Sequence, residues 1–195
     1  MKRIILASQS PYRRDLLNKL NIKFDCMPSD FDESILKREI TDIQELTRQL
    51  ALKKAEIIAK DHKDALVIGS DQVCSFNGQI LGKTGSLTKS FDQLKQMQGK
   101  EHELTTSYVI INNGLKRFHT NVTRLHMRDL SDAQIKFYLT LDNPVDCAGS
   151  YKLELNGISL FKKIDTDDYT SIIGLPLINL ANDLILEGIS VPGGN

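Results

Sequence analysis

The sequence predicts an α/β protein built on a mixed sheet. Three observations carry that prediction. The chain opens with a strand, a helix and a second strand, the unit from which parallel sheets are made. Asn77-Gly78 and Asn113-Gly114 each separate two β-rich runs and mark tight hairpins, which exclude a purely parallel sheet. Between the strands lie amphipathic stretches with helix-capping signals.

Taken in order, residues 2–7 read as a buried strand, and residues 6–20, LASQSPYRRDLLNKL, lead from it into a helix. Ser10 caps that helix, Pro11 suits its first position, and Leu16, Leu17 and Leu20 form the inner face. Arg13 and Arg14 fall in the first turn, where the helix dipole disfavours cations. A bound phosphate reverses that sign, and solvated surface arginines are the other reading. Ile22, Phe24 and Cys26 alternate as a second strand. The acidic run SDFDES follows, in which Asp30, Asp32 and Glu33 offer either an oxygen-rich edge for a divalent cation or a solvated loop.

Thr41 with Gln44 makes a capping box for a long helix reaching about His62. Ile43, Leu46, Leu50, Ile57 and Ile58 share one face; Lys54 falls near the middle of that stripe, where it must snorkel or meet an anion. Residues 65–70, ALVIGS, form an apolar strand with Asp71 where it ends, the place at which α/β sheets bind ligands; a turn-capping aspartate is the alternative. The hairpin at Asn77-Gly78 returns Lys83 toward Asp71.

Residues 87–98 read as a helix stopped at Gly99, residues 105–112 and 115–128 as a second hairpin, and Ser131 with Gln134 as a capping box for a helix to about Leu141. CAGSY, residues 147–151, is a small-residue run that suits either close approach to a ligand or a tight packing corner. Lys152, Glu154 and a strand over residues 158–164 follow it. Pro176 opens a last helix through Leu184, Gly188 ends it, and the residues beyond read as a loose tail.

The 195 residues suit one domain or two small lobes. Lys+Arg 25 balances Asp+Glu 25, and without a basic-aromatic stripe nothing points to nucleic acid or a membrane surface. Cys26, Cys74 and Cys147 give neither a CxxC pattern nor a disulfide framework, so buried thiols in a reducing compartment are expected. The absence of a signal-peptide layout and of any membrane-length apolar run makes the cytoplasm the expected address. His62, His102, His119 and His126 show no ligand spacing and read as exposed or strand histidines.

SQSPYRR, FDES, LALKKA, IGSDQV, LGK, CAGSYKLE and GLPL occur in that order, and together they resemble the Maf family of nucleoside triphosphate pyrophosphatases over nearly the whole chain. Asp-Gln after the central strand and CAGSYK…E resemble the YceF-like branch, which hydrolyses 7-methyl-GTP. The resemblance implies a single Maf-like domain over residues 1–195, with a mixed twisted sheet, flanking helices and two lobes around a central cleft, as in ITPase-like folds. It implies cleavage between the α and β phosphates, giving a nucleoside monophosphate and pyrophosphate and limiting incorporation of modified nucleotides.

Carried over by position, the resemblance puts phosphate contacts on Ser8, Ser10, Arg13 and Arg14, and catalytic roles on Asp71, Lys54 and Lys83. Tyr12, Gln72 and Glu154 match the base-selectivity positions, and Glu33 and Asp71 are the candidate ligands for a divalent cation, magnesium or manganese. An aromatic face and a carboxylate favour the cationic methylated purine. Tyr12 stands where the branch often has Trp, and Thr84 where a proline is usual. The alternatives are a dTTP/UTP pyrophosphatase of the same family and a nucleotide-binding inhibitor of septum formation that acts on a partner. A homodimer is expected by analogy.

Overall fold

The structure, a computed structural model, describes residues 2–193. Its elements in chain order are β1 (Ile4–Leu6), α1 (Pro11–Asn18), β2 (Asp25–Cys26), α2 (Ser34–Glu39), α3 (Ile43–Asp61), β3 (Leu66–Phe76) and β4 (Gln79–Leu81). Then come α4 (Leu87–Met97), β5 (Glu101–Asn112), β6 (Leu115–Met127), α5 (Asp132–Asp142), a 3-10 turn (Asn156–Leu160), β7 (Phe161–Asp165), α6 (Thr170–Ile173) and α7 (Leu177–Leu186). The seven strands form one sheet in the order β2-β1-β3-β5-β6-β7, with β4 paired to β3. β1 runs parallel to β2 and β3, whereas β4 is antiparallel to β3 and β7 to β6, so the sheet is mixed as expected. Asn77 and Gly78 both adopt positive φ, 51° and 76°, as do Asn113 and Gly114 at 49° and 81°, which is the backbone a two-residue hairpin needs.

The chain divides into two compact units: the first holds the stretch up to Gln72, Thr106–Asn121 and the stretch from Asp168, and the second holds Val73–Thr105 and Val122–Asp167. In the first unit the side chains alternate between two covered faces. Ile4, Leu6, Leu66, Ile68, Tyr108 and Ile110 pack with Leu16 and Leu17 of α1 and Leu177, Leu180 and Leu184 of α7. Ile5, Ala7, Val67, Val109 and Ile111 pack with Ala55 and Ile58 of α3. A sheet buried on both sides explains why β1 and the start of β3 read as unbroken apolar runs. Burying each such side chain is worth roughly 1.5–3 kcal/mol.

α3 rides very close to β3. A Cβ added to Gly69 would lie 2.3 Å from the Ala51 carbonyl oxygen and 2.8 Å from the Ala55 Cβ, so three small residues set the spacing. The next residue of β3 on that face is Asp71.

In the second unit Leu94 and Met97 of α4, Ile135 and Leu139 of α5, and Leu104, Leu125, Met127 and Phe161 of the strands are buried. His102, buried in β5, places Nε2 2.9 Å from the Tyr151 hydroxyl, and burial pushes its imidazole down to about 4. It is therefore a neutral core histidine at physiological pH.

Several expectations are corrected. α3 is capped by Asp42, whose carboxylate accepts the Glu45 N–H at 2.7 Å, and not by Thr41. Only Asp25 and Cys26 of the second strand pair with β1; Ile22 and Phe24 instead turn into the core as partly buried packing residues. α2 follows the acidic run, in a stretch for which no element was expected. Residues 158–160 belong to the 3-10 turn, and the strand begins only at Phe161. Cys26 is exposed, while Cys74 is buried. The residues after Gly188 are docked: Ile189 and Val191 pack on the core, the Gly193 N–H donates to the Leu20 carbonyl at 3.0 Å, and the Asn21 amide donates back to Gly193 O at 2.6 Å. Residues 194 and 195 of the expected tail lie outside the described residues. Among the described residues no helix is long and apolar enough to cross a membrane.

Because Gly69 has no room for a methyl group against the Ala51 backbone, Gly69→Ala is expected to destabilise the protein by about 3 kcal/mol. Urea unfolding should show a lowered midpoint at unchanged m; a midpoint equal to wild type would mean that α3 can move away freely.

Candidate active site

The first turn of α1 forms as the sequence predicts. Ser10 has extended backbone and its hydroxyl accepts the Arg13 N–H at 3.4 Å, with Pro11 at the first helical position. The Ser8 hydroxyl, nearly buried, accepts the Ser10 N–H at 3.1 Å. The two arginines, alike in sequence, are not alike in structure. Arg14 is exposed, with Nε 3.5 Å from the neighbouring Asp15, a contact of little energetic weight. Arg13 is half-buried and donates from Nε to the Gly174 carbonyl at 2.9 Å, which fixes the plane of its guanidinium. Burial lowers its pKa from the ordinary value, while the charges of Asp71 and Glu33 oppose that shift. Arginine remains protonated under such a shift, so Arg13 brings a partly desolvated cation to the helix terminus.

Asp71 was expected where its strand ends. β3 instead runs through it to Phe76. What ends near Asp71 is the neighbouring strand: β1 pairs with β3 only as far as Leu6 opposite Ile68, so β3 outruns its partner there. Asp71 faces α3, and the close approach at Gly69 lays Lys54 over it. Lys54 Nζ donates to Asp71 Oδ1 and lies 2.9 Å from Glu33 Oε1. The question left open for the lysine in the apolar stripe is thus answered by two carboxylates.

Side-chain exposures of 15% for Lys54 and 10% for Asp71 make this a largely desolvated pair. Glu33, the residue before α2, is also bonded to Lys37 at 2.6 Å. Desolvation raises the Glu33 pKa, but the Lys37 hydrogen bond and the charge and hydrogen bond of Lys54 outweigh it and leave the carboxyl below its usual value.

Gln72 points to the opposite face of β3 from Asp71. Its amide nitrogen donates to Thr106 Oγ1 at 2.9 Å, Ser171 O at 2.8 Å and Ile172 O at 3.0 Å. Ser70, on that same face, donates to Ser107 O and to Gly174 O, so Gly174 receives both Ser70 and Arg13. GLPL, one of the motifs that carry the family resemblance, was expected to open a helix, and no role was assigned to its glycine. Its glycine, at φ +120°, is also the residue that holds Arg13, and the signal was a glycine ahead of the helix-opening proline. Tyr12 is half-buried in α1.

Lys83 and Glu154 belong to the second unit. Lys83 pairs in a single antiparallel bridge with Ala148. The small-residue run beside it is a packing corner: Gly149 has φ +80°, and a Cβ there would lie 2.8 Å from the Tyr151 ring and 3.0 Å from Cys74 Sγ. Ser150 donates to Gln93 Oε1 at 2.6 Å, and Tyr151 is bonded to His102. Glu154 is exposed in the turn that follows.

The family model described as Maf-like protein matches residues 3–186. The chain belongs to the Maf family. A relative from Bdellovibrio bacteriovorus named 7-methyl-GTP pyrophosphatase is 44% identical over 191 residues, 97% of this chain and 98% of the relative. Proteins of the same name from Pseudomonas savastanoi pv. phaseolicola and Pseudomonas aeruginosa are 42% and 40% identical over 194 residues, covering 98% of this Maf chain and 100% of each relative. Among solved structures, a HAM1 protein from Coxiella burnetii is 12% identical with a TM-score of 0.42, over 65% of this chain and 73% of that one, a likeness too distant to bear on function.

Since the Glu33 pKa is lowered on folding, its stabilisation is complete above the unfolded value, near ~4.3, and is lost as pH falls through the folded one. Unfolding free energies from urea titrations of wild type and Glu33→Gln should therefore differ by about 1 kcal/mol at pH 7, and the gap should shrink as pH falls below the unfolded value toward the lower folded one. A gap that does not shrink on acidification below pH ~4.3 would exclude the ionised Glu33 as its source.

Proposed function

We propose that this Maf protein hydrolyses 7-methyl-GTP to 7-methyl-GMP and pyrophosphate. The observation that carries the reading is the Glu33–Lys54–Asp71 set, a desolvated ammonium between two carboxylates, sharing its field with Arg13 at a helix N-terminus. The name borne by relatives over nearly the full chain supplies the substrate.

In this reading the hydroxyls of Ser8 and Ser10, the free N–H groups of α1 and the guanidinium groups of Arg13 and Arg14 bind the triphosphate. Lys54 and Lys83 add point charges against the charge that builds on departing pyrophosphate. Asp71 takes the proton of the attacking water as the α–β anhydride opens, and Lys54 on Oδ1 fixes the orientation of its carboxylate. Tyr12 and Glu154 favour the cationic purine. Gln72 acts on selectivity through the Ser171–Ile172 backbone it braces, because its amide donors are already engaged.

Glu33 and Asp71 are hard oxygen donors of the kind that magnesium or manganese takes in ones and twos, completing its shell with phosphate oxygens and water. Among the described residues no group of three or more His, Cys, Asp or Glu is gathered that could hold a metal, so the two carboxylates would hold it jointly with the nucleotide. When bound, such an ion would supply charge neutralisation on the phosphates.

Pyrophosphate release from 7-methyl-GTP, GTP, UTP and dTTP, with magnesium or manganese, tests this. Wild type should prefer 7-methyl-GTP, and Asp71→Asn should lower its turnover about 10²- to 10⁴-fold. Turnover confined to UTP and dTTP would overturn the substrate assignment, and an Asp71→Asn variant as fast as wild type would remove Asp71 from the chemistry.

A further inference from the structure

The turn carrying Glu154 is fastened at both ends to one side of α5. Tyr138 and Asp142, four residues apart on that helix, are 3% and 6% exposed. The Tyr138 hydroxyl accepts the Lys152 backbone N–H at 2.9 Å. Asp142 accepts the Asn156 backbone N–H on Oδ2 at 3.0 Å and the Asn156 amide on Oδ1 at 2.6 Å. Lys152 and Asn156 thus stand two residues before and two after Glu154.

Inside the turn the Lys152 carbonyl accepts from Leu155 at 3.2 Å and from Gly157 at 3.0 Å. A Cβ on Gly157 would lie 2.4 Å from that carbonyl oxygen. Leu153 is buried while Glu154 is exposed, so the carboxylate is presented outward from a turn with little freedom of its own.

Asp142 is an expensive way to fasten a loop. It is the last residue of α5, where the helix carries partial negative charge and acids are disfavoured, and it is buried. Charge-assisted acceptance of two Asn156 donors offsets that cost and gives a direction that an apolar contact would not. A local rule broken in this way, next to an exposed carboxylate proposed to read a base, points to function.

We propose that Tyr138 and Asp142 are positioning residues for substrate selectivity: by fixing Lys152 and Asn156 they set where the Glu154 carboxylate stands. The proposal rests on the reading of Glu154 as a reader of the base. Their hydroxyl and carboxylate act through the turn and touch no nucleotide.

The test is kcat and KM for 7-methyl-GTP and GTP in Tyr138→Phe, Asp142→Asn and Asn156→Ala, each with and without Glu154→Gln. Asp142→Asn should raise KM for 7-methyl-GTP about tenfold, as one lost hydrogen bond allows, with kcat and the GTP constants near wild type. In the Glu154→Gln background the same substitutions should change the preference no further, a non-additivity that a merely structural role would not produce. If Glu154→Gln lowers the preference but none of the three does, the positioning role is wrong and the Glu154 reading stands. If Glu154→Gln leaves the preference unaltered, the Glu154 reading fails and this one with it. Should Asp142→Asn fail to fold, Tyr138→Phe and the exposed Asn156→Ala decide the matter by the same ratio.

Discussion

Lys54 stands at the centre of the first unit's chemistry, and its place is fixed by an absence of atoms. Gly69 gives α3 leave to approach β3, Ala51 and Ala55 complete the approach, and the ammonium one turn along is laid on Asp71. Two carboxylates drawn to one half-buried point would repel each other, but with Lys54 between them they form an ordered set. Glu33, arriving from the loop before α2, is recruited by that ammonium and by Lys37. Remove the close approach of helix to strand, and the acidic loop, the strand carboxylate and the lysine lose their common point.

The opposite face of the same strand shows a second constraint. Ser70 and Gln72 are polar residues in a covered sheet, and each is satisfied by the backbone around α6: Ser70 by Gly174, Gln72 by Ser171 and Ile172. Thr106 also donates to Ser171 O, and Ser171 donates to Asn121. Buried polar groups paired this fully specify one arrangement. The Gly174 carbonyl they hold in place is the acceptor for Arg13, so the difference between an anchored Arg13 and a solvated Arg14 originates in a segment far away in sequence.

What could be read from the sequence was what local chemistry decides. Ser10-Pro11 announced a helix start, Asn77-Gly78 and Asn113-Gly114 announced hairpins, and Ser131 with Gln134 formed the capping box the spacing promised. The central strand was cut short at Ser70 because Ser70, Asp71 and Gln72 look like the polar end of a strand. Their partners lie 17 to 104 residues away, beyond any local window. The same limit hid the 3-10 turn at Asn156–Leu160, whose apolar residues mimic a strand while Asp142 holds Asn156. For the candidate site, Asp71 and Lys54 were singled out from position alone, whereas Gly174 was not, since a backbone carbonyl leaves no mark on residue type.

The bond from Arg13 to Gly174 spans 161 residues, and that from Asn21 to Gly193 spans 172. During synthesis from the N-terminus α1 is therefore made well before the partners that lock it. Until those are made, the first turn of α1 is only a capped segment with Arg13 unanchored. The anchored geometry of Arg13 is therefore a late product of folding, set only once Gly174 has been made and the backbone around α6 is in place.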